Sequence, residues 1–124
     1  RDLNNIKEKK YNPNILIMGL TFKENCPDIR NSKVIDVYNE LKEFGLKVDV
    51  YDYEADALEV KEEYGISLLK QIKEKYEGIL LAVAHKNFSI IDIDSLKKDH
   101  KSIVYDLKGF LPRNLVDSRL WHTR

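Results

Sequence analysis

Two segments of the chain, residues 15–20 and residues 78–84, are apolar almost without interruption. Each has the length of a strand, and such a run is typical of a strand that is buried on both faces of a parallel sheet. Residues 46–51 instead alternate between apolar and polar positions, which predicts a half-buried second strand. Residues 66–68 form either a minimal third strand or an extended turn, and residues 102–105 predict the last strand.

Apolar residues at helical spacing lie between these strands. After the first strand, five of them recur before Gly45, which is expected to stop the helix: Val34, Val37, Tyr38, Leu41 and Phe44. A second helix is expected over residues 54–64, with a thin apolar face of Ala57, Leu58 and Tyr64. A third helix is expected on Leu69, Ile72 and Tyr76, and a short helix around residues 94–98.

Strands that alternate with helices predict right-handed crossovers and a parallel sheet. We therefore expect an α/β fold, a Rossmann-like three-layer sandwich with a five- or six-stranded, mainly parallel sheet. If the strand order is 3-2-1-4-5, the first and fourth strands are neighbours, and the loop over residues 21–30 faces His85. The segment 106–108 would lie beside them, so three polar segments would meet at one edge of the sheet.

The 124 residues fit one domain, which we expect over residues 14–124. Residues 1–13 are expected to be a linker or the end of an interdomain helix, and the chain looks excised because it lacks an initiating Met. Lys and Arg number 21, as do Asp and Glu, so no global charge would recruit nucleic acid or a membrane. One cysteine forbids an internal disulfide, and no apolar stretch is long enough to span a membrane, so the cytoplasm is the expected compartment.

The loop after the first strand carries two cations, Lys23 and Arg30, and ends at Asn31 and Ser32, which suit the N-terminus of a helix. Open α/β sheets bind ligands at loops that leave the carboxyl ends of their strands, and a helix N-terminus adds a positive dipole end. A phosphate-bearing ligand fits this pattern. Solvated surface cations without a ligand are the alternative, and from spacing alone they are the commoner case.

Two motifs in this loop resemble the start of the C-terminal, UDP-binding domain of the UDP-glucose/GDP-mannose dehydrogenase family: Gly19-Leu20-Thr21-Phe22-Lys23 and Asp28-Ile29-Arg30-Asn31-Ser32. The resemblance extends from about residue 14 to the end of the chain. UDP-glucose dehydrogenases usually carry a Thr-Asp-Asp run where this chain has Cys26-Pro27-Asp28. The segment Asn25-Cys26-Pro27-Asp28 looks more like the branch that acts on UDP-N-acetylhexosamines (GlcNAc, GalNAc or ManNAc) for capsule, O-antigen or Vi-type polysaccharides.

The resemblance implies that Phe22 and Lys23 contact the nucleotide sugar and that Arg30 reaches the NAD side of an interdomain cleft. Lys108 matches a basic position that helps to hold UDP, with Arg113 as the competing candidate. The resemblance also implies a homodimeric parent that oxidises the C6 alcohol of a UDP-sugar to a carboxylate in two NAD-dependent steps. Its N-terminal dehydrogenase domain would bind NAD, and its catalytic cysteine would lie outside this chain.

Three further polar residues are weaker candidates. His85 is either a ligand contact or a hydrogen-bonded structural residue, and it has no partner at metal-ligand spacing. Cys26 is expected to have no covalent role, because the Gly-rich segment around the family's nucleophile does not occur here. Asp52 closes the second strand as a ribose-binding acid would, but the sequence has no G-x-G-x-x-G, so we interpret Asp52 as structural.

Two rival interpretations stay open at this stage. One is a stand-alone regulatory or binding module that uses the same sheet edge for another nucleotide or for a partner protein. The other is a structural lobe that dimerises or closes over a partner domain. An upstream reading frame that encodes G-x-G-x-x-G and a Gly-rich cysteine segment would favour the dehydrogenase.

Overall fold

The computed structural model describes residues 13–107 and 118–119. Its strands are all parallel and pair in the order β2-β1-β3-β4-β5: β1 (Asn14–Met18), β2 (Lys47–Tyr51), β3 (Gly78–Leu81), β4 (Ile103–Asp106) and the two-residue β5 (Ser118–Arg119). Between them lie helices α1 (Val34–Glu43) and α2 (Ala57–Tyr64) and two 3-10 helices, Lys86–Ile90 and Ile93–Leu96. The predicted α/β fold with a parallel sheet is confirmed.

Different elements cover the two faces of the sheet. On one face, strand residues such as Ile17 and Val50 pack in one cluster with Val34 of α1 and Val60 of α2. On the other face, the strands pack against an irregular segment and the two 3-10 helices, through a cluster that includes Leu16, Met18, Tyr76, Ile79, Leu81, Phe88, Ile93 and Leu96. In the sheet, β2 lies on one side of β1, and β4 lies on the opposite side of β3. Because crossover connections are right-handed, the connection from β1 to β2 and the connection from β3 to β4 lie on opposite faces of the sheet. The switch point lies between β1 and β3.

The third helix that we predicted, on Leu69, Ile72 and Tyr76, is wrong. Residues 65–77 contain no helix, and these side chains reach the core from an irregular backbone. The Leu69 N–H donates to the Val50 carbonyl at 2.9 Å, which places the preceding residues beside β2 as an extended turn. The buried Tyr76 hydroxyl donates to Asp49 at 2.7 Å. These tertiary contacts override a helical propensity that was weak.

The second helix is shorter than predicted, because its N-cap lies inside the expected range. The Asp56 side chain accepts the N–H groups of Leu58 and Glu59, so α2 begins at Ala57. Its buried residue is Val60, whereas Leu58, which we placed on the apolar face, is 67% exposed. The short helix expected around residues 94–98 is the 3-10 helix Ile93–Leu96, and the 3-10 helix Lys86–Ile90 was not predicted.

Candidate functional site

Just after β1, the backbone at Gly19 lies in close contact with Val83, just after β3. The φ angle of Gly19 is +101°, and a Cβ built there would lie 2.6 Å from Val83 Cβ and 2.7 Å from its backbone N and O. A side chain would collide with backbone, and glycine is the residue that adopts this angle without strain. The apolar run therefore stops being a strand at Met18, and the chain turns into a long loop, residues 19–33, at the carboxyl edge of the sheet.

A buried carboxylate holds the start of this loop. Asp52 is 5% exposed, and its Oδ2 accepts the backbone N–H groups of Leu20 and Thr21. The same oxygen lies 3.0 Å from His85 Nε2, and Oδ1 accepts two more N–H groups, from residues 54–55. Burial raises the pKa of Asp52, but the hydrogen bonds from His85 and from Leu20 outweigh it, so the pKa lies below its ordinary value. These contacts within the chain agree with the structural interpretation of Asp52.

His85 links the loop to the end of β3 from a fully buried position. Its Nδ1 accepts the N–H of Asn25 at 2.9 Å, and its Nε2 lies 3.0 Å from Asp52 Oδ2 and 3.0 Å from Thr21 Oγ1. Because a backbone N–H can only donate, Nδ1 carries no proton, and Nε2–H is the donor. The Thr21 hydroxyl donates to the Lys23 carbonyl at 3.0 Å. The predicted proximity of the loop to His85 is confirmed.

A cleft of about 350 Å³ opens at the carboxyl ends of β1, β3 and β4. It is lined by Thr21, Phe22, Asn31, Lys33, Val34, Val37, Ala82, Val83 and Leu107. The Phe22 side chain is 53% exposed, and the Leu107 N–H donates to the Leu81 carbonyl at 3.1 Å. The segment after β4 thus reaches the cleft as expected, whereas Lys108 and Arg113 lie outside the described residues. An apolar cleft with polar groups at a switch point is where open α/β sheets bind ligands.

The two predicted cations lie in different surroundings. Lys23 is exposed and directly follows Phe22 of the cleft. Arg30 donates from Nε and from Nη2 to the two carboxylate oxygens of Asp28, both at 3.0 Å, and its side chain is 83% exposed. These hydrogen bonds lower the pKa of Asp28 to about 2. Arg30 lines a separate surface depression with Cys26, Pro27, Asp28, Ile29 and Glu59.

Sequence reasoning missed two polar residues of the cleft, Asn31 and Lys33. We expected Asn31 and Ser32 to cap the first helix, but Asn31 has a φ of +61°, and Lys33 is the N-cap residue. The Ser32 hydroxyl accepts the Val34 N–H and donates to the Leu20 carbonyl, so it fulfils part of the predicted role. The signal that could have found Lys33 was its position at a loop-to-helix junction, where unpaired N–H groups and the helix dipole favour anions.

The described part of the chain, residues 13–107 and 118–119, contains neither a grouped set of metal ligands nor a membrane-spanning helix. In this part of the chain, no three His, Cys, Asp or Glu side chains are grouped so that they could hold a metal ion. Nor does any helix there combine the length and the apolar character needed to cross a membrane. Cys26 is partly exposed, carries a free thiol and lines the same surface depression as Arg30.

Comparison with known proteins identifies the family. A sequence model of the UDP-glucose/GDP-mannose dehydrogenase family, UDP binding domain, matches residues 16–113. The chain is 47% identical over 110 residues to a UDP-N-acetyl-D-glucosamine 6-dehydrogenase of Salmonella typhi, and the match covers 86% of this chain and 26% of that protein. It is 44% identical over 109 residues to a protein of the same name from Pseudomonas aeruginosa, again covering 86% and 26%.

The fold matches solved structures as well. The structure of a UDP-glucose dehydrogenase from the archaeon Pyrobaculum islandicum superposes with a TM-score of 0.69 at 19% identity, over 94% of this chain and 27% of that one. The chain therefore spans about a quarter of the length of the relatives that it matches. The expected likeness to the UDP-N-acetylhexosamine branch is confirmed by the two bacterial relatives. The chain belongs to the UDP-glucose/GDP-mannose dehydrogenase family and contains its UDP binding domain.

Proposed function

We propose that this chain is the nucleotide-sugar-binding domain of an NAD-dependent UDP-sugar 6-dehydrogenase. The parent would oxidise a UDP-hexose or UDP-N-acetylhexosamine to the uronic acid for polysaccharide biosynthesis, as a homodimer in the cytoplasm. The observation that carries the proposal is that Phe22 lines a cleft on the carboxyl edge of the sheet, with the exposed Lys23 next to it in sequence. A stand-alone module is not favoured, because the relatives at 47% and 44% identity are named as dehydrogenases.

The residues around the cleft suit a nucleoside diphosphate sugar. Phe22 and the apolar residues beside it would pack against the uracil or the sugar ring. Lys23, next to Phe22 in sequence, would attract the diphosphate as a point charge, and Lys33, at the N-terminus of α1, places a cation at the cleft itself. The affinity of the chain alone should be low, because the other half of the binding cleft would belong to the dehydrogenase domain.

NAD would be bound mainly by that other domain. The loop between β1 and α1 has no Gly-rich turn, so this domain lacks the fingerprint that places a dinucleotide pyrophosphate on a helix N-terminus. Arg30 fits a lesser role. A guanidinium has five N–H donors, and on this 83% exposed side chain two of them hold Asp28, which orients the group for contact with a phosphate. NAD would supply the hydride acceptor of the reaction.

The test uses the full-length product of the reading frame that contains this chain, next to the 124-residue chain itself. The full-length protein should reduce NAD with UDP-glucose, UDP-N-acetylglucosamine or UDP-N-acetylgalactosamine, and Cys26→Ala should leave that rate unchanged. The chain alone should show no turnover and should bind UDP in the millimolar range, roughly 4 kcal/mol or less. Turnover by the chain alone that is abolished by Cys26→Ala would overturn the proposal, as would a full-length protein that neither binds UDP nor oxidises a UDP-sugar.

A further inference from the structure

We infer that His85 is a positioning residue, whose Nδ1 holds the loop after β1 in the conformation that presents Phe22 and Lys23 to the nucleotide sugar. The inference rests on the proposed function, since it takes the ligand to be a UDP-sugar. It assigns to a buried histidine, which touches no ligand in this scheme, the task of fixing the residues that do.

The geometry ties the loop on both sides of Lys23. On the amino-terminal side, the Thr21 hydroxyl donates to the Lys23 carbonyl. On the carboxyl-terminal side, the Asn25 N–H donates to His85 Nδ1 at 2.9 Å, and Asn25 Oδ1 accepts the Lys86 N–H at 2.8 Å. Asn25 has a φ of +58°, a conformation that non-glycine residues adopt at some cost. The bonds to residues 85 and 86 stabilise that conformation.

The two ring nitrogens of His85 face different parts of the molecule. Nε2 faces the buried side chains of Asp52 and Thr21, which hold the ends of the strands together. Nδ1 faces the exposed end of the loop, at Asn25. Losing the Nε2 donor should therefore lower the stability of the fold, because a buried carboxylate loses a partner. Losing the Nδ1 acceptor should release the loop and lower the affinity for the ligand.

Two amide substitutions separate these roles. Asparagine at this position places a carbonyl oxygen near the site of Nδ1, and glutamine places an amide N–H near the site of Nε2. His85→Asn thus keeps the acceptor for the Asn25 N–H, and His85→Gln keeps the donor to Asp52. A histidine that were merely structural would lose stability and affinity together in both variants.

The experiment measures UDP affinity by calorimetry, thermal melting, and hydrogen exchange of the Asn25 amide in the full-length protein. We expect His85→Gln to raise the Kd for UDP about fivefold or more and to speed exchange at Asn25 about tenfold, with a smaller drop in melting temperature than His85→Asn shows. We expect His85→Asn to keep the Kd within about twofold and to melt several degrees lower. The matched controls are His100→Gln and His100→Asn, at an exposed histidine, which should change none of the three readouts.

A second variant tests the loop without touching the core. Asn25→Gly keeps the N–H that His85 accepts and tolerates the positive φ, so it removes only the bond to Lys86. It should raise the Kd by less than His85→Gln does, and the residue-25 amide should stay protected from exchange, because His85 Nδ1 still accepts it. Loss of that protection, or a rise in Kd as large as that of His85→Gln, would overturn the inference that His85 Nδ1 holds the end of the loop, even if His85→Asn fails to fold.

The outcomes separate the inference from the proposed function. Parallel losses of stability and affinity in both His85 variants, or unchanged affinity and exchange in His85→Gln, would overturn the positioning role. If the wild-type protein does not bind UDP, the proposed function fails. Hydrogen exchange at the Asn25 amide then still decides whether His85 holds the loop. Loss of protection in His85→Gln alone supports the positioning role of His85, and equal protection in all variants overturns that role.

Discussion

The two halves of the loop between β1 and α1 are held by different kinds of contact. Residues 20–25 bond to Asp52 and His85, which are buried and lie more than 30 residues away in sequence. Residues 26–30 carry the surface ion pair of Arg30 with its near neighbour Asp28, and between these two the buried Ile29 accepts the Tyr64 hydroxyl at its carbonyl, at 2.7 Å. One backbone hydrogen bond joins the two halves: the Phe22 N–H donates to the Asp28 carbonyl at 2.7 Å.

Because of this difference, substitutions in the two halves should affect folding and ligand binding differently. The first half depends on side chains that also hold the ends of β2 and β3, so changes there should alter folding and binding together. In the second half, Asp28 and Arg30 form an exposed pair two residues apart, so changes in this pair should alter charge and ligand contacts with little effect on folding. Substitutions in the buried contacts and in the exposed pair should therefore differ in the size and the kind of their effects.

Gly19→Ala should have the largest effect. The new methyl group would meet Val83 backbone at 2.7 Å, and the φ of +101° disfavours any side chain. We expect a loss of about 3 kcal/mol or more in the free energy of unfolding, measured by urea denaturation. The control is Gly65→Ala, where φ is +73° but no atom lies within 4 Å, so about 1 kcal/mol is expected. Equal losses would show that β1 and β3 do not approach as closely as described.

Asp52→Asn should cost about 2–4 kcal/mol. In the wild type, one carboxylate oxygen accepts the N–H groups of Leu20 and Thr21, and the other accepts those of Glu54 and Ala55. In either orientation of the new amide, its NH₂ group would face one of these pairs of donors and could accept from neither. The pKa of Asp52 is lowered in the fold, so its contribution is present above the unfolded value near 3.8 and is lost as the pH falls through the folded pKa.

Urea denaturation of the wild type and of Asp52→Asn at a series of acidic pH values tests this pH dependence. The stability difference between wild type and Asp52→Asn should be constant from about pH 7 to pH 5 and should shrink at lower pH. A difference that grows as the pH falls would contradict the assignment of a charged Asp52. Asp94→Asn, at an exposed carboxylate, is the matched control and should be neutral.

Lys23→Ala and Arg30→Ala should affect ligands and leave folding nearly unchanged. Lys23 follows the cleft residue Phe22, and Arg30 lines a separate depression, so we expect about a tenfold rise in KM for the UDP-sugar in the first variant and for NAD in the second. Steady-state kinetics of the full-length protein measure both, with Lys42→Ala on α1 as the control. If both variants melt several degrees lower with unaltered kinetics, the loop is scaffold.

The sequence predicted the framework better than the site, for a physical reason. Apolar runs and helical spacing are local signals, and they placed β1, α1, β2 and the parallel strands after them at residues 78 and 103. The helix predicted on residues 69–76 failed because contacts to β2 and to the 3-10 helices decide that segment.

The site shows the same limit. Phe22 and Lys23 could be named from a motif, but neither the exact partners of His85 nor the presence of Lys33 at the cleft could be named. Those contacts join residues some 30 to 60 positions apart, at a close approach that depends on Gly19. Motif residues that act through their own side chains are visible in sequence, whereas the residues that position them are visible only in the fold.

The smallest effect concerns the Asp28–Arg30 pair itself. Hydrogen bonds from Arg30 lower the pKa of Asp28 from 3.8 to about 2, so the pair stays charged down to strongly acidic pH. Its small contribution to stability is therefore present above pH 3.8 and is lost only as the pH falls through about 2. NMR titration of the Asp28 carboxyl carbon should give a midpoint near 2 in the wild type and a higher midpoint in Arg30→Ala, where only the backbone N–H of residue 30 still donates to the carboxylate. In Asp52→Asn the Asp28 midpoint should not move, because the Asp28 carboxylate is bonded to Arg30 whereas Asp52 is bonded to His85 and to the start of the loop. A matching rise there would show that the buried cluster also governs the surface pair.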